Sequence, residues 1–504
     1  MNQGAPARRR EAWILAVIVG LVGLIGASNH ELWRDEAEPW LIGRDSATPA
    51  DLLVSMSTQG HPALWYSITW TLSKITHDPW IMQGFNLLLA ATMAWLVGRH
   101  APFPRWVRVL FCLSYYPIFE FTVLNRAYMS QLLLATAVCV LWTRRDKMLW
   151  WIALLLALLS QTIVYGAIMA SGLVLALSLL SLNREDPLAR LPLSAKLGPL
   201  ALALAGIGGG AGYAYWQAKR MVAHLGTYEP TYDFEWIAAA VSTLMRGALP
   251  LPDPGSPDVW NTNIVDALGA GAPLAGLLGG LGFVGLAVWP LRRSLPLVVA
   301  FLFATGAMFT ITAVMWHGQQ RHHAQPFVFW WIVLWIAVAS GVRWTSRHSQ
   351  VLGVLLALHC VAAAWLLATD ARRPFSHARN VAALLETDEW REHPVIGHVD
   401  FATEPIAVWL DRPLYYVEQR RFGTFMDWSF KRKDATTDFV IRDAIRMARD
   451  EGREVMLVLN YGGNVELGHE MAVDGAVMRH THRFEGAIVP DENYYLYVIS
   501  PVDP

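Results

Sequence analysis

Charge is scarce in this chain of 504 residues: Asp, Glu, Lys and Arg make up 16% of it, where a soluble protein of that length carries nearer ~25%. Hydrophobic residues make up 54%, and long apolar runs recur from Trp13 to Leu367, so most of the chain belongs in a bilayer. Cysteine is nearly absent. Cys112, Cys139 and Cys360 all lie inside apolar runs, which leaves the hydrophilic stretches without a disulfide, a thiolate nucleophile or a cysteine metal site. The net charge of −1 says nothing about a nucleic-acid partner and no basic stripe suggests one, so none is expected. There is no internal repeat and no low-complexity tract. No glycine-rich phosphate loop appears either; the NYGGN at 460–464 reads as a turn, which argues against a nucleotide-using domain. The opening MNQGAPARRR and the apolar run behind it lack a small-residue cleavage site, so they read as an uncleaved first helix.

What is present is a series of apolar runs. A helix needs ~20 apolar residues to cross a bilayer. The runs fall at 12–28, 80–98, 106–122, 127–142, 148–163, 165–182, 197–217, 264–289, 295–315, 326–341 and 350–368. The fold class expected is an α-helical polytopic membrane protein with about 11–13 transmembrane helices and a C-terminal soluble α/β domain. Lys and Arg in the short loops orient it. Arg8, Arg9 and Arg10 put the N-terminus in the cytoplasm, and the arginines at 99–108, 144–145, 184–190, 292–293 and 343–347 mark further inside loops. The alternation holds if the short apolar piece 63–75 is re-entrant or interfacial. Four segments then share the outer face: 29–79, 121–128, 217–263 and 316–325.

The division expected is a membrane core over 1–369, with outer loops 29–79 and 217–263, and an extracytoplasmic domain over 370–504. Residues 234–245 read as a helix lying in the interface. From Asp370 the composition becomes that of a soluble domain. Helices are expected at 376–386, 405–410 and 437–449, and strands at 395–399, 414–417 and 455–459. A closing antiparallel pair is expected at 483–489 and 494–499, in a mainly parallel sheet.

The densest acid lies in the first outer loop, NHELWRDEAEPWLIGRD, which carries Glu31, Asp35, Glu36 and Glu38. A carboxylate at a membrane surface accepts a proton from a nucleophile or holds a divalent metal, and the residues leave both open for Asp35. Trp33, Gln59 and His61 surround these acids as candidate substrate contacts; His61 before Pro62 also reads as a plain turn residue. Arg126 in LNRAYMSQ and Arg321 in WHGQQRHHAQP lie at outer ends of spans, where an Arg grips phosphate with two donors at once. Arg126 reads equally as a helix-end residue whose head reaches the interface. Tyr128, with Tyr115 and Tyr116, is placed to line a lipid or sugar channel. His317, His322 and His323 flank Arg321. A metal reading of that cluster needs a carboxylate from Asp35 or Glu36, and phosphate or sugar binding by Arg321 and His322 is favoured over it.

The stretch LWRDEAEPWLIGRD, followed by HPALWYSITWTL, resembles the first outer loop of the GT-C glycosyltransferases, and of the bacterial relatives of protein O-mannosyltransferases and lipid A aminoarabinose transferases in particular. Those proteins show an Asp-Glu pair after the first helix and a His-Pro-Pro-Leu-like turn before the next. Here Ala63 stands where the second Pro would be. The resemblance extends to the plan of a many-spanning core, an outer loop past mid-chain and an outer C-terminal domain. It implies sugar transfer from a polyprenyl-phosphate donor to a glycan, lipid or protein acceptor, in a multi-pass protein of the bacterial inner membrane. It implies that Asp35 acts as base on the acceptor or organises a divalent metal, and that Glu36 matches the second catalytic position. No other cofactor is expected. The alternative is a transporter or flippase of a lipid-linked sugar, which calls for repeat symmetry and mid-span charge. Glu120 is the nearest candidate for such a charge. A scaffold whose tail binds a partner protein ranks last, because that role does not need an acidic first loop.

Overall fold

The computed structural model describes residues 5–221, 231–429, 431–462 and 466–502. Part of the expected 217–263 loop and the end of the NYGGN stretch therefore lie outside the described residues. The first membrane helix, α1 (Ala5–Asn29), is followed in the first loop by α2 (Arg34–Asp45), α3 (Pro49–Ser55) and α4 (Leu64–Ser73). The core continues through α5 (Trp80–His100), α6 (Arg105–Cys112), a π-helical turn at Tyr116–Val123, α7 (Tyr128–Trp142), α8 (Leu149–Leu159), α9 (Val164–Ser181) and α10 (Leu193–Ala218). After α11 (Phe234–Ala248) it closes with α12 (Ala272–Leu291), α13 (Leu295–Val314), α14 (Gln320–Ala339) and α15 (Ser346–Asp370).

Eight helices among the described residues are long and apolar enough to cross a membrane, which makes this a multi-pass protein. The remaining runs depart from the expected 11–13 for physical reasons. α7 and α8 are apolar but short, at 15 and 11 residues. The run expected at 106–122 is broken. Pro117 has no N–H to donate, and beyond it the ladder widens, the Leu124 N–H reaching the Phe119 carbonyl at 3.3 Å.

α14 is the axis of the bundle: 83% of its most apolar window is buried, against 22% for α10. Phe111 stacks on its Trp331 at 3.7 Å. α11 is amphipathic and presses on the start of α14. At Gly247 a Cβ would lie 1.8 Å from the His323 carbonyl oxygen, so only glycine fits that approach. The contact fixes the first turn of α14, where Gln320 Nε2 donates to the Arg246 carbonyl at 2.7 Å.

The C-terminal part comprises α16 (Ala378–Leu385), β1 (Val395–His398), α17 (Asp400–Thr403), α18 (Ile406–Leu410), β2 (Leu414–Tyr416), β3 (Arg421–Gly423), α19 (Thr437–Glu451), β4 (Val455–Leu459), β5 (Glu470–Val473), β6 (Ala476–Phe484) and β7 (Tyr494–Pro501). The sheet order is β3-β2-β1-β4-β7-β6-β5. Only β2-β1-β4 run parallel, and the other pairs are antiparallel. The sheet is thus mixed rather than mainly parallel. The closing pair is also shifted. β6 begins at Ala476 because Asp474 and Gly475, at φ 44° and 72°, make a tight hairpin with β5. It stops at Phe484 because Gly486 turns the chain at φ 91°.

A buried polar brace ties the end of α1, the start of α2 and the end of α15 together. His30 Nε2 meets Glu36 Oε2 at 2.8 Å and its Nδ1 meets Asp370 Oδ2 at 3.0 Å. Burial alone would lower the His30 pKa, but the two carboxylates outweigh it and hold it at about 10. The raised value means that the stabilisation is complete below the ordinary value of 6.5 and is lost as pH rises through about 10. We predict that H30A costs about 3–5 kcal/mol, because it leaves two buried carboxylates unpaired. Thermal unfolding in detergent should show the wild type losing stability between pH 7 and 10 relative to H30A.

Candidate functional site

The four segments expected on one face meet at one end of the bundle, and the C-terminal part joins them. Asp35 of the first loop touches Arg126 and Arg321, while Arg34 pairs with Asp491 and its N–H donates to Glu492 Oε1 at 3.0 Å. Tyr116 donates to the Gly247 carbonyl of α11 at 2.9 Å. At the opposite end Arg8 donates to the Ala101 carbonyl at 2.8 Å, Arg108 pairs with Glu11 and Arg145 with Asp186.

α2 separates the acids by helical geometry. Asp35 and Glu38, three apart, lie on one face, whereas Glu36 turns the other way. Glu36 is fully buried and its oxygens are occupied. Oε1 accepts from the backbone N–H of Asn125 at 2.5 Å and from its side chain at 3.0 Å, and Oε2 meets His30. Glu36 therefore holds the loop against the bundle and touches no open space.

Asp35 sits between two guanidinium groups. Arg321 Nη2 donates to its Oδ2 at 2.6 Å, Arg126 Nη1 pairs with the same oxygen, and Arg34 Nε stands 3.9 Å from Oδ1. Burial would raise its pKa, but Arg126, Arg321 and Arg34 outweigh that and hold the carboxyl below the usual carboxylate range. The cluster is not sealed: 21% of the Asp35 side chain is exposed, and 14% of Arg126. Arg321 lies over the faces of Trp33 and Trp260, 5.2 and 6.0 Å from their centroids. Its Nε and Nη1 are buried and have no hydrogen-bond partner among the described residues. Arg321 therefore keeps donors that no described residue meets, beside a second Arg.

The other expected residues divide. Trp33 is a buried wall of Arg321. His61 lines a small hollow together with Pro39, Tyr66 and Arg126. Burial and then Arg126 lower its pKa to about 4, so it is neutral. Gln59 is turned away and buried, its Nε2 donating to the Met426 carbonyl at 3.2 Å. Tyr128 stacks on Phe121 with centroids 5.3 Å apart. His322 caps α14, its Nδ1 accepting from the Gln319 N–H at 3.0 Å, and packs edge-on against Trp316. Glu120 accepts from Tyr115 at 2.8 Å and from Trp260 at 3.2 Å.

The donor set does not fit a divalent metal. No group of three or more His, Cys, Asp or Glu among the described residues could hold one, and Asp35 Oδ2 is already shared by two arginines. His323 bonds the His317 carbonyl at 2.8 Å instead of facing Asp35.

Two acids at this site were not singled out in the sequence. Glu38, on the Asp35 face, accepts from Trp428 Nε1 at 3.3 Å and from the Tyr66 hydroxyl at 3.5 Å. Glu404 comes from the turn between α17 and α18 and accepts from the Met426 N–H at 2.8 Å. The i, i+3 spacing of Asp35 and Glu38 was a usable signal; nothing local in the sequence points to Glu404.

We predict that D35A, which leaves two guanidinium groups facing each other, loses on the order of 3 kcal/mol. Inorganic phosphate should raise the melting temperature of D35A more than that of the wild type, read by thermal unfolding with and without the salt.

No family model and no curated protein matches this chain. Among solved structures, its fold is similar to the crystal structure of ArnT from Cupriavidus metallidurans bound to undecaprenyl phosphate, with 14% sequence identity and a TM-score of 0.48 over 96% of this chain and 97% of that one.

Proposed function

We propose that the protein is a membrane glycosyltransferase that moves a sugar from a polyprenyl-phosphate donor to an envelope acceptor, at the extracytoplasmic face of a bacterial inner membrane. The observation that carries this reading is Arg321, whose two N–H groups without partners lie beside Arg126 at the end of an apolar bundle. A lipid phosphate brings its own apolar tail to such a place, and its charge matches two guanidinium groups. The arginine-rich loops at the other end of the bundle support placing this end outside the cytoplasm.

In this reading the anomeric carbon–oxygen bond to phosphate breaks as the acceptor oxygen attacks. The electron pair leaves on the polyprenyl phosphate, where Arg126 and Arg321 meet its charge. Asp35 keeps both arginines aligned before the donor arrives. A carboxylate gripped by two guanidinium groups is a poor proton acceptor, so the reading gives Asp35 a positioning role in place of base or metal ligand. Trp33 stiffens Arg321 from behind, and His61 borders the space left for the sugar.

Undecaprenyl phosphate, the lipid bound by the crystallised ArnT, is the natural probe. Purified wild type should bind it, and R321A should bind it at least about tenfold more weakly, one charge-assisted grip being worth ~1.5–3 kcal/mol. Mass spectrometry of envelope glycans and lipids should show one sugar-bearing species missing from cells that lack the gene. Equal binding by R321A, or an unchanged envelope, would defeat the proposal.

A further inference from the structure

The transferase reading leaves one chemical task unassigned: something must take the proton of the acceptor hydroxyl. We infer that Glu38, backed by Glu404 of the C-terminal part, is that proton acceptor. The inference rests on the transferase reading above.

Position is the first argument. Glu38 lies one helical turn beyond Asp35 on the same face of α2, and it is only half-buried where Glu36 and Glu404 are closed off. Its donor Tyr66 lines the hollow that also holds His61. Tyr66 thus joins Glu38 to the hollow that Arg126 also lines.

Hydrogen bonding is the second argument. The two bonds to Glu38 are long and come from neutral groups, Trp428 at 3.3 Å and Tyr66 at 3.5 Å. No Lys, Arg or His among the described residues is within ion-pair distance of it, so its lone pairs are available, unlike those of Asp35. The charged and titratable groups around it are Asp35 and Arg126 from the core, Tyr66 from α4, and Glu404 from the C-terminal part. Glu404 and Glu38 are fastened to one segment: Met426 donates to Glu404 and Trp428 to Glu38. Trp428 is itself stacked on Phe401 and covered by Arg432, which grips Asp400 at 2.8 Å.

Two neighbouring carboxyls without a cation of their own cannot both ionise, so the pair holds one proton near neutrality. Burial first, and the Asp35 charge second, raise Glu38 to about 7, the range in which a general base works best. In the step itself the acceptor O–H proton passes to the Glu38 carboxylate. The acceptor oxygen bonds to the anomeric carbon, the bond from that carbon to phosphate breaks, and its electron pair departs on the polyprenyl phosphate. The Glu38 proton then returns to water.

The test follows transfer in membranes from cells lacking the gene and resupplied with wild type, E38Q, E38D or E404Q, across pH 5.5–8.5, beside undecaprenyl-phosphate binding by each purified variant. Wild-type transfer should rise through an apparent pKa near 7. E38Q should bind the lipid like wild type yet transfer about 10²-fold more slowly or worse, with E38D partly restoring the rate. E404Q, which replaces the carboxyl that keeps the pair's proton, should leave the rise near 7. Transfer by E38Q within twofold of wild type overturns the inference. Should E38Q fail to accumulate, E38D decides: transfer within twofold of wild type overturns the inference, and transfer at least about tenfold slower with lipid binding kept upholds it. A wild type that neither binds the lipid nor transfers sugar refutes the transferase reading and this inference with it.

Discussion

Two guanidinium groups at the mouth of an apolar bundle repel each other and lose much of their hydration, so Arg126 and Arg321 can share a site only with a carboxylate between them. Asp35 supplies it, and its Oδ2 is common to both pairs. The arrangement of this end of the bundle follows from bringing these three side chains together. Arg126 comes from the corner after the π-helical turn, Arg321 from the first turn of α14 and Asp35 from α2. Each is fixed by a separate device. Asn125 is held by Glu36, the start of α14 by the close approach at Gly247, and α2 by the His30 brace.

Glu36 and Asp35 are adjacent in sequence yet serve opposite sides of one helix. Glu36 spends its oxygens on the brace and makes the loop rigid, so Asp35 can be left partly open without the loop moving. Glu36 is met on both oxygens within the protein, whereas Arg321 keeps donors that no described residue meets. The C-terminal part completes the arrangement from above. Its segment 424–429 meets the first loop at Asp45, Thr58, Gln59 and Glu38, so the acid-bearing loop lies between the bundle and the sheet.

The membrane half was legible because long apolar runs report directly on crossing. The departures came where length or local chemistry intervened, at short α7 and α8 and at Pro117. In the sheet, β1, β2 and β4 were legible as β-branched and apolar runs. The boundary of β6 is set by the Asp474-Gly475 hairpin, a two-residue turn signal that outweighs the apolar run further on. At the site, Asp35, Arg126 and Arg321 were all visible as charges at the ends of apolar runs, and the structure brings the three into contact. Glu404 was not visible, because its neighbourhood is created by a segment reaching across from a different part of the chain, and Gln59 looked open only because the segment covering it, at Met426, lies 367 residues further on.

The most direct test of the central claim is an experimentally determined structure of the protein with undecaprenyl phosphate added. The account predicts phosphate oxygens within hydrogen-bond distance of both Arg126 and Arg321, with the Arg321 Nε and Nη1 groups engaged and Asp35 released from at least one arginine. A phosphate bound elsewhere, with Asp35 still joined to both arginines, would contradict it.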